Sequence, residues 1–195
     1  DNDSDGYVEC TPHSSGWDGT AISGGDDCDD ADVHTHPNAS EICDGDVNDC
    51  VGSLPLDEID NDSDGYVECT IDISGWDGTA IAGGDDCDDS DDTIYSGAVE
   101  LCDGQINDCT LSSLPTNEAD ADSDGYVECT TDTGGWDGTS ISGDGDCVDT
   151  DGTVYPGASE ICDGQDNDCQ NGIPSDEVDD DLDNYVDCTI DSGGW

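Results

Sequence analysis

Apolar residues along this chain stand in runs of three at most, and no segment keeps a helical period of them for even three turns. Gly, Asp, Ser, Thr and Asn fill the intervals, a mixture that predicts turns and short strands. The best strand candidates are "GYVECT" and "GTAIS", which predict a hairpin closed across "SGWDG", with Asp-Gly in a tight turn. A single helical turn is expected at "GASEIC".

This pattern recurs. "DNDSDGYVEC" occupies residues 1–10 and again 60–69, "DADSDGYVEC" residues 120–129, and a worn copy, "DDDLDNYVDC", residues 179–188. Three full repeats therefore cover 1–59, 60–119 and 120–178, and 179–195 begins a fourth. A period of about 60 residues belongs with linear arrays in which each unit touches chiefly its neighbours. The part-repeat at 179–195, ending on Trp195 where the first repeat has Trp17, leads us to expect that the chain continues beyond this window.

Charge then limits what can hold such a repeat together. The chain has 54 acidic residues, no Lys or Arg and three His, for a formal charge of −54. Two carboxylates 4 Å apart repel by roughly 4 kcal/mol at the effective dielectric near a protein surface. Bound cations or an unfolded chain are the two ways out. Phe is absent, and Leu, Ile and Val together fall below the roughly one fifth of residues that a core-forming chain carries.

Thirteen cysteines at fixed spacing argue against disorder. They follow C-x17-C-x14-C-x6-C at Cys10, Cys28, Cys43, Cys50, then Cys69, Cys87, Cys102, Cys109, then Cys129, Cys147, Cys162, Cys169, with Cys188 opening the fourth set. Four per repeat reads as two disulfides per repeat and an oxidising, extracellular or cell-surface setting. The expected fold class is mostly irregular with small β elements, a tandem repeat array stabilised by calcium and disulfides.

Three acidic clusters per repeat are candidate metal ligands. In the first, Asp1, Asp3 and Asp5 alternate ahead of Gly6 and Tyr7, as do Asp60, Asp62, Asp64 and Tyr66, Asp120, Asp122, Asp124 and Tyr126, and Asp179, Asp181 and Asp183. Alternating Asp before a Gly-permitted turn brings three carboxylates and the next carbonyl to one point, the first half of a calcium loop. Its twelfth place holds Pro12, Ile71 or Thr131 instead of Glu, so closure must come from elsewhere. The candidates are Glu9, Glu68 and Glu128, or Glu58, Glu118 and Glu177, which precede the next loop and would tie one repeat to its successor.

The second cluster begins at Asp27, Asp86 and Asp146. Counting from Asp30, Asp89 or Asp149, an Asp stands third (Asp32, Asp91, Asp151) and a Glu twelfth (Glu41, Glu100, Glu160), the acidic frame of a twelve-residue calcium loop. Thr93 and Thr153 take the fifth place, where repeat one has His34, and Tyr95 and Tyr155 the seventh. The third cluster lies between cysteines six residues apart: Asp44, Asn48 and Asp49, Asp103, Asn107 and Asp108, Asp163, Asn167 and Asp168. A loop that short presents its oxygens already gathered, which lowers the entropic cost of binding. At about three carboxylates per site, about three to five calcium ions per repeat are expected.

Other motifs add less. The Trp of "GWDGT" at Trp17, Trp76, Trp136 and Trp195 reads first as a small local core with Tyr7 and Ile22, and second as a stacking platform for glycans. Asn2, Asn38 and Asn61 open Asn-x-Ser sequons, two of them inside the first acidic loop. His13, His34 and His36 occur only in repeat one and read as surface histidines. No Ser or Cys nucleophile recurs with a His base, so an enzyme is not expected. The charge excludes nucleic acid as a direct partner, and no apolar run reaches a membrane span.

The run "GGDDCDDSD…SGAVELCDGQINDC" resembles the MopE-type metal-binding repeat found in secreted and surface proteins of bacteria and archaea. "DxDSDGYVEC" also resembles thrombospondin type 3 repeats, in which calcium and disulfides replace a core. The resemblance implies calcium at the matched acids. It implies pairing of the first cysteine with the second and the third with the fourth, hence Cys10–Cys28, Cys43–Cys50 and their counterparts. Copper is named for one branch of that family, whereas this chain has no Met and no recurring His. The function expected is an extracellular calcium-binding structural repeat, a segment of a fibre or stalk whose partners are copies of itself or further repeats. A surface adhesin recognising glycans, or a metal-sequestering module, is the alternative.

Overall fold

The computed structural model describes residues 1–194, so Trp195 lies outside the described residues. Among those described there is no α-helix. Regular structure is confined to β1 (Tyr126–Val127), β2 (Gly143–Asp144) and single 3-10 turns at Leu56–Glu58, Thr116–Glu118 and Ser175–Glu177. Each 3-10 turn starts from a proline in extended conformation (Pro55, Pro115, Pro174), whose fixed φ sets the entry.

β1 and β2 run parallel, with Tyr126 opposite Gly143 and Val127 opposite Asp144. Tyr66 and Gly83 make the same bridge in repeat two. The expected antiparallel hairpin is thus corrected to a parallel tie. The Trp loop causes this: the indole N–H folds back onto its own loop, donating to the carbonyls of Thr20, Thr79 and Thr139 at 2.6, 2.7 and 2.7 Å. That carries the chain round, so the Asp-Gly pair makes no two-residue hairpin. The return strand arrives as a glycine beneath a tyrosine ring, and a Cβ on Gly83 would lie 2.7 Å from Tyr66 Cε1. "GASEIC" is irregular rather than helical, because side chains claim its backbone: the Ile161 amide donates to Asn167 Oδ1 at 3.1 Å.

The described chain separates into two compact units, Asp1–Ala98 with Asp108–Thr110, and Val99–Asn107 with the chain from Leu111. Each buries both apolar and polar residues. Val67, Ile94 and Asn48 are buried in the first, and Val127, Val154 and Asn167 in the second.

Six disulfides replace the missing core, and their pairing differs from expectation. The second cysteine of each repeat joins the fourth: Cys28–Cys50, Cys87–Cys109, Cys147–Cys169. The third joins the first of the next repeat: Cys43–Cys69, Cys102–Cys129, Cys162–Cys188. Cys10 is free and exposed. The reason is the asparagine between the close cysteines. Asn48 accepts from the Ile42 amide at 2.8 Å and donates to Asp44 Oδ2 at 2.9 Å, closing the loop that a Cys43–Cys50 bond was expected to close. Both cysteines are then left for distant partners. Each cystine closes 22 to 27 residues, which in the chain-entropy account destabilises the unfolded state by about 3 kcal/mol.

Candidate metal centre

Repeat two shows how the centre is built. Ser63 and Gly65 take positive φ (74° and 96°), coiling the loop so that its carboxylates cap its own amides. Asp60 accepts from the Ser63 amide at 2.7 Å and the Gly65 amide at 3.2 Å. Asp62 Oδ1 accepts from the Asp64 amide at 3.1 Å, and Asp64 Oδ1 from the Tyr66 amide at 2.7 Å. Each of these last two carboxylates has one oxygen committed to the turn. The other oxygen, Asp62 Oδ2 or Asp64 Oδ2, is buried with no hydrogen-bond partner.

Closure comes from the second cluster. The Asp86 amide donates to the carbonyl of the fully buried Val67 at 3.0 Å, which brings the "DDCDD" segment against the loop. Asp86 Oδ1 accepts from the Asp88 amide at 2.9 Å, while its Oδ2 is buried and unpartnered like those of Asp62 and Asp64. Asp89 holds the loop from outside, accepting the Asn61 amide at 2.8 Å and bonding the Asn61 side chain. Oxygens of Asp60, Asp62 and Asp64 lie within 4.8 Å of one another, as do those of Asp62, Asp86 and Asp89. The same groupings form at Asp1, Asp3 and Asp5 and at Asp3, Asp27 and Asp30. In repeat three the unpartnered oxygens are again Oδ2 of Asp122, Asp124 and Asp146.

Such an arrangement is electrostatically unbalanced. Asp27, Asp86 and Asp146 are at most 5 % exposed, and burial, followed by the neighbouring carboxylates, raises the pKa of all three. Asp86 is pushed up to about 6. Asp64 and Asp124 are raised for the same reason. With no Lys or Arg in the chain, buried carboxylate oxygens without a donor, in groups this close, fit an oxygen-seeking cation. All cysteines but Cys10 are in cystines, so the donor set is hard.

The remaining predicted ligands are placed differently. Glu58, Glu118 and Glu177 turn back into their own repeats: Glu58 Oε2 accepts from the Asp44 and Gly45 amides at 3.3 and 2.7 Å, Glu118 from Gly104 and Glu177 from Asp163 and Gly164. They anchor the third cluster and do not close the next loop. The twelve-residue frame is likewise divided. Asp30, Asp89 and Asp149 go to the first loop, whereas Glu41 and Glu160 accept the amides of Asn48 and Asp49 and of Asn167 and Asp168. Glu100 occupies the same sequence place.

Asp91 and Asp151 accept the hydroxyls of Thr93 and Thr153 at 2.7 Å, and Asp32 faces His34 at 3.3 Å. Asn48, Asn107 and Asn167 are fully buried brackets whose amide oxygens accept Ile42, Leu101 and Ile161 amides. Asp44, Asp103 and Asp163 accept from them. Asp49, Asp108 and Asp168 cap the turns that follow. In the worn copy, Asp179, Asp181 and Asp183 form the same ladder onto Asp183, Asn184 and Tyr185 amides.

Sequence reasoning missed the tyrosine pairs. Tyr66 stacks on Tyr95 and Tyr126 on Tyr155, at centroid distances of 4.7 and 5.2 Å. Tyr7 stacks on His36 at 4.6 Å, which explains that histidine without a metal. The recurrence of an aromatic six places after Asp89 and Asp149 was the available signal. Trp76 and Trp136 lie against Gly45 and Gly104 of the preceding repeat, where a Cβ would lie 2.7 Å from the indole. The sequon amides of Asn2 and Asn61 are spent on Asp30 and Asp89, leaving Asn38 in an exposed turn.

A family model described as "Putative metal-binding motif", of the copper-binding MopE type, matches residues 27–54, 53–68, 86–110 and 146–174. Three of those matches begin at, or within a residue of, the buried Asp27, Asp86 and Asp146. No curated protein and no solved structure matches the chain.

Proposed function

Starting from a chain that belongs to the MopE-type metal-binding motif family, we propose that it is a calcium-binding, non-enzymatic structural module, a segment of an extracellular fibre or stalk. The supporting observation is the set of buried, unpartnered carboxylate oxygens repeated at Asp3, Asp5 and Asp27, at Asp62, Asp64 and Asp86, and at Asp122, Asp124 and Asp146. Asp60, Asp62, Asp64, Asp86 and Asp89, with their counterparts, would hold the ion. A divalent cation bound there supplies the positive charge that offsets their mutual repulsion. The chain's own part is to fix one oxygen of each ligand by a backbone amide, so that the other is aimed before the ion arrives.

Oxygen-only donors favour calcium over copper or zinc. Six cystines support an oxidising compartment, and no helix of the described residues is long and apolar enough to cross a membrane. The half-buried Trp76 and Trp136, packed on a preceding glycine, favour structure over glycan stacking. Calorimetric titration of the decalcified chain tests the reading: calcium is expected to bind at one or more ions per full repeat, with recovery of the near-ultraviolet signal of the stacked tyrosines. Stoichiometric copper or zinc in native material, or a signal indifferent to calcium removal, would overturn it.

A further inference from the structure

The junction between successive repeats is made by one set of contacts, used again and again. Between repeats one and two, Cys43 bonds Cys69, and Cys69 donates its amide to Asp57 O at 3.1 Å. Asp72 donates to Cys43 O at 2.8 Å, Asp77 and Gly78 to Asp44 O at 2.7 and 3.3 Å, and Trp76 lies on Gly45. Between repeats two and three the set is the same: Cys102–Cys129, Cys129 to Asn117 O, Asp132 to Cys102 O, Asp137 and Gly138 to Asp103 O, Trp136 on Gly104. The worn copy adds Cys162–Cys188, Cys188 to Asp176 O and Asp191 to Cys162 O. One side of the junction is always a Cys-Asp-Gly turn with its 3-10 turn. The other is the first cysteine, followed in the first two junctions by its Trp loop.

Repeat one carries the second of these sides, already shaped. Trp17 is folded onto Thr20 O as Trp76 is onto Thr79 O. Yet Trp17 is 43 % exposed, whereas Trp76 and Trp136 are half-buried. The amides of Cys10, His13, Asp18 and Gly19, equivalent to the four that bond across the other junctions, have no partner among the described residues, and the Cys10 thiol is free. A single feature here could be incidental; four amides, an indole face and a thiol in one preformed loop are not.

We propose that this face, from Cys10 to Gly19, is an acceptor surface for the second half of another repeat of the same kind, closed covalently at Cys10. The occupant is defined by what fills the equivalent faces. It is a segment with a Cys-Asp-Gly turn whose cysteine is unpaired, an Asp carbonyl to take the Asp18 and Gly19 amides, a glycine under Trp17, and a Pro-led 3-10 turn. In closure the two Sγ atoms bond, each thiol loses its proton, and the two electrons pass to a small-molecule disulfide such as oxidised glutathione, which leaves as two thiols. The inference stands on the cystine pattern and the backbone contacts, whichever ion fills the centres.

The test extends the full chain by a copy of residues 87–119 placed directly before Asp1, so that the added Ala precedes Asp1 as Ala119 precedes Asp120. The sample is oxidised in a glutathione buffer with calcium and mapped by non-reducing peptide analysis. The third cysteine of the added cysteine-rich half-repeat, counted as in a full repeat, is expected to be linked to Cys10, and iodoacetamide labelling of Cys10 to fall at least about tenfold. A second form with that added cysteine replaced by Ser should still slow the labelling, because the non-covalent contacts cover the thiol. Labelling at an unchanged rate in both forms, with the six native cystines intact, overturns the proposal. So does a Cys10–Cys10 dimer of the extended chain, or scrambling of the native pairs.

Discussion

The loops at residues 60–66 and 179–185 share a backbone design and differ in what lies against them. In both, alternating aspartates cap amides two to five residues ahead. Only in the first do carboxylate oxygens become buried and unpartnered, because Asp86 and Asp89 close over them. In the second, for which the counterparts of Asp86 and Asp89 would fall past residue 195, Leu182 and Tyr185 are 83 % and 79 % exposed. The turn is therefore local chemistry and the metal centre is not. A segment of "DxDxDG" type gives a scaffold of half-committed carboxylates, and a second segment more than twenty residues away turns it into a site.

The sharpest way to break this comparison is to exchange closing and loop acids. Asp86→Asn is expected to lower calcium stoichiometry by one ion per chain, or weaken that site by about tenfold or more. Without metal the same change should stabilise the chain, on the order of 2 kcal/mol at neutral pH, by removing a buried charge. Asp183→Asn should change neither measurement. Calorimetry and denaturant melts of both variants decide.

Proton uptake offers a second test with the opposite dependence on ions. Asp86 rises from 3.8 unfolded to about 6 folded, so the metal-free fold binds the proton more tightly than the unfolded chain does. That contribution is complete below 3.8 and is lost as pH rises through about 6. Metal-free chain should hence melt higher at pH 4 than at pH 7, by an amount on the order of 2 kcal/mol from Asp86. Calcium-saturated chain should show the reverse trend, because protons compete with the ion.

A smaller effect concerns how the closing segment is seated. Gly83→Ala puts a Cβ 2.7 Å from Tyr66 Cε1 and should displace the Tyr66–Tyr95 stack, at about 1 to 3 kcal/mol. Gly97→Ala meets nothing within 4 Å and bears only the strain of φ 85°, about 1 kcal/mol. Near-ultraviolet dichroism should fall in the first and persist in the second.

Much of this was readable from the sequence and some was not, for a physical reason. The period, the scarcity of regular structure, the alternating aspartates and the metal-binding character are local or compositional, and they follow from adjacent residues. Which recurring positions meet is a long-range matter. Cys43 and Cys50 have six residues between them and invite pairing, but Asn48 closes their loop and both bond elsewhere. Glu58 stands two residues before the next acidic loop, but Pro55 and the 3-10 turn aim it back at Gly45. Asp30 and Glu41 have calcium-loop spacing and serve different loops. A repeat shows what is needed once per period without showing across which boundary it acts.

The cystine pattern has a mechanical consequence. Interleaved bonds confine any stretching between Cys28 and Cys69 to residues 43–50, and between Cys147 and Cys188 to residues 162–169, while residues 70–86 and 130–146 are spanned by no disulfide. The five-carboxylate centres bridge those same gaps, joining Asp62 to Asp86 and Asp122 to Asp146. Under tension, the contacts of each centre hold back about 60 Å of slack, and a cation bound there, as proposed, makes its release depend on the ionic composition of the surroundings.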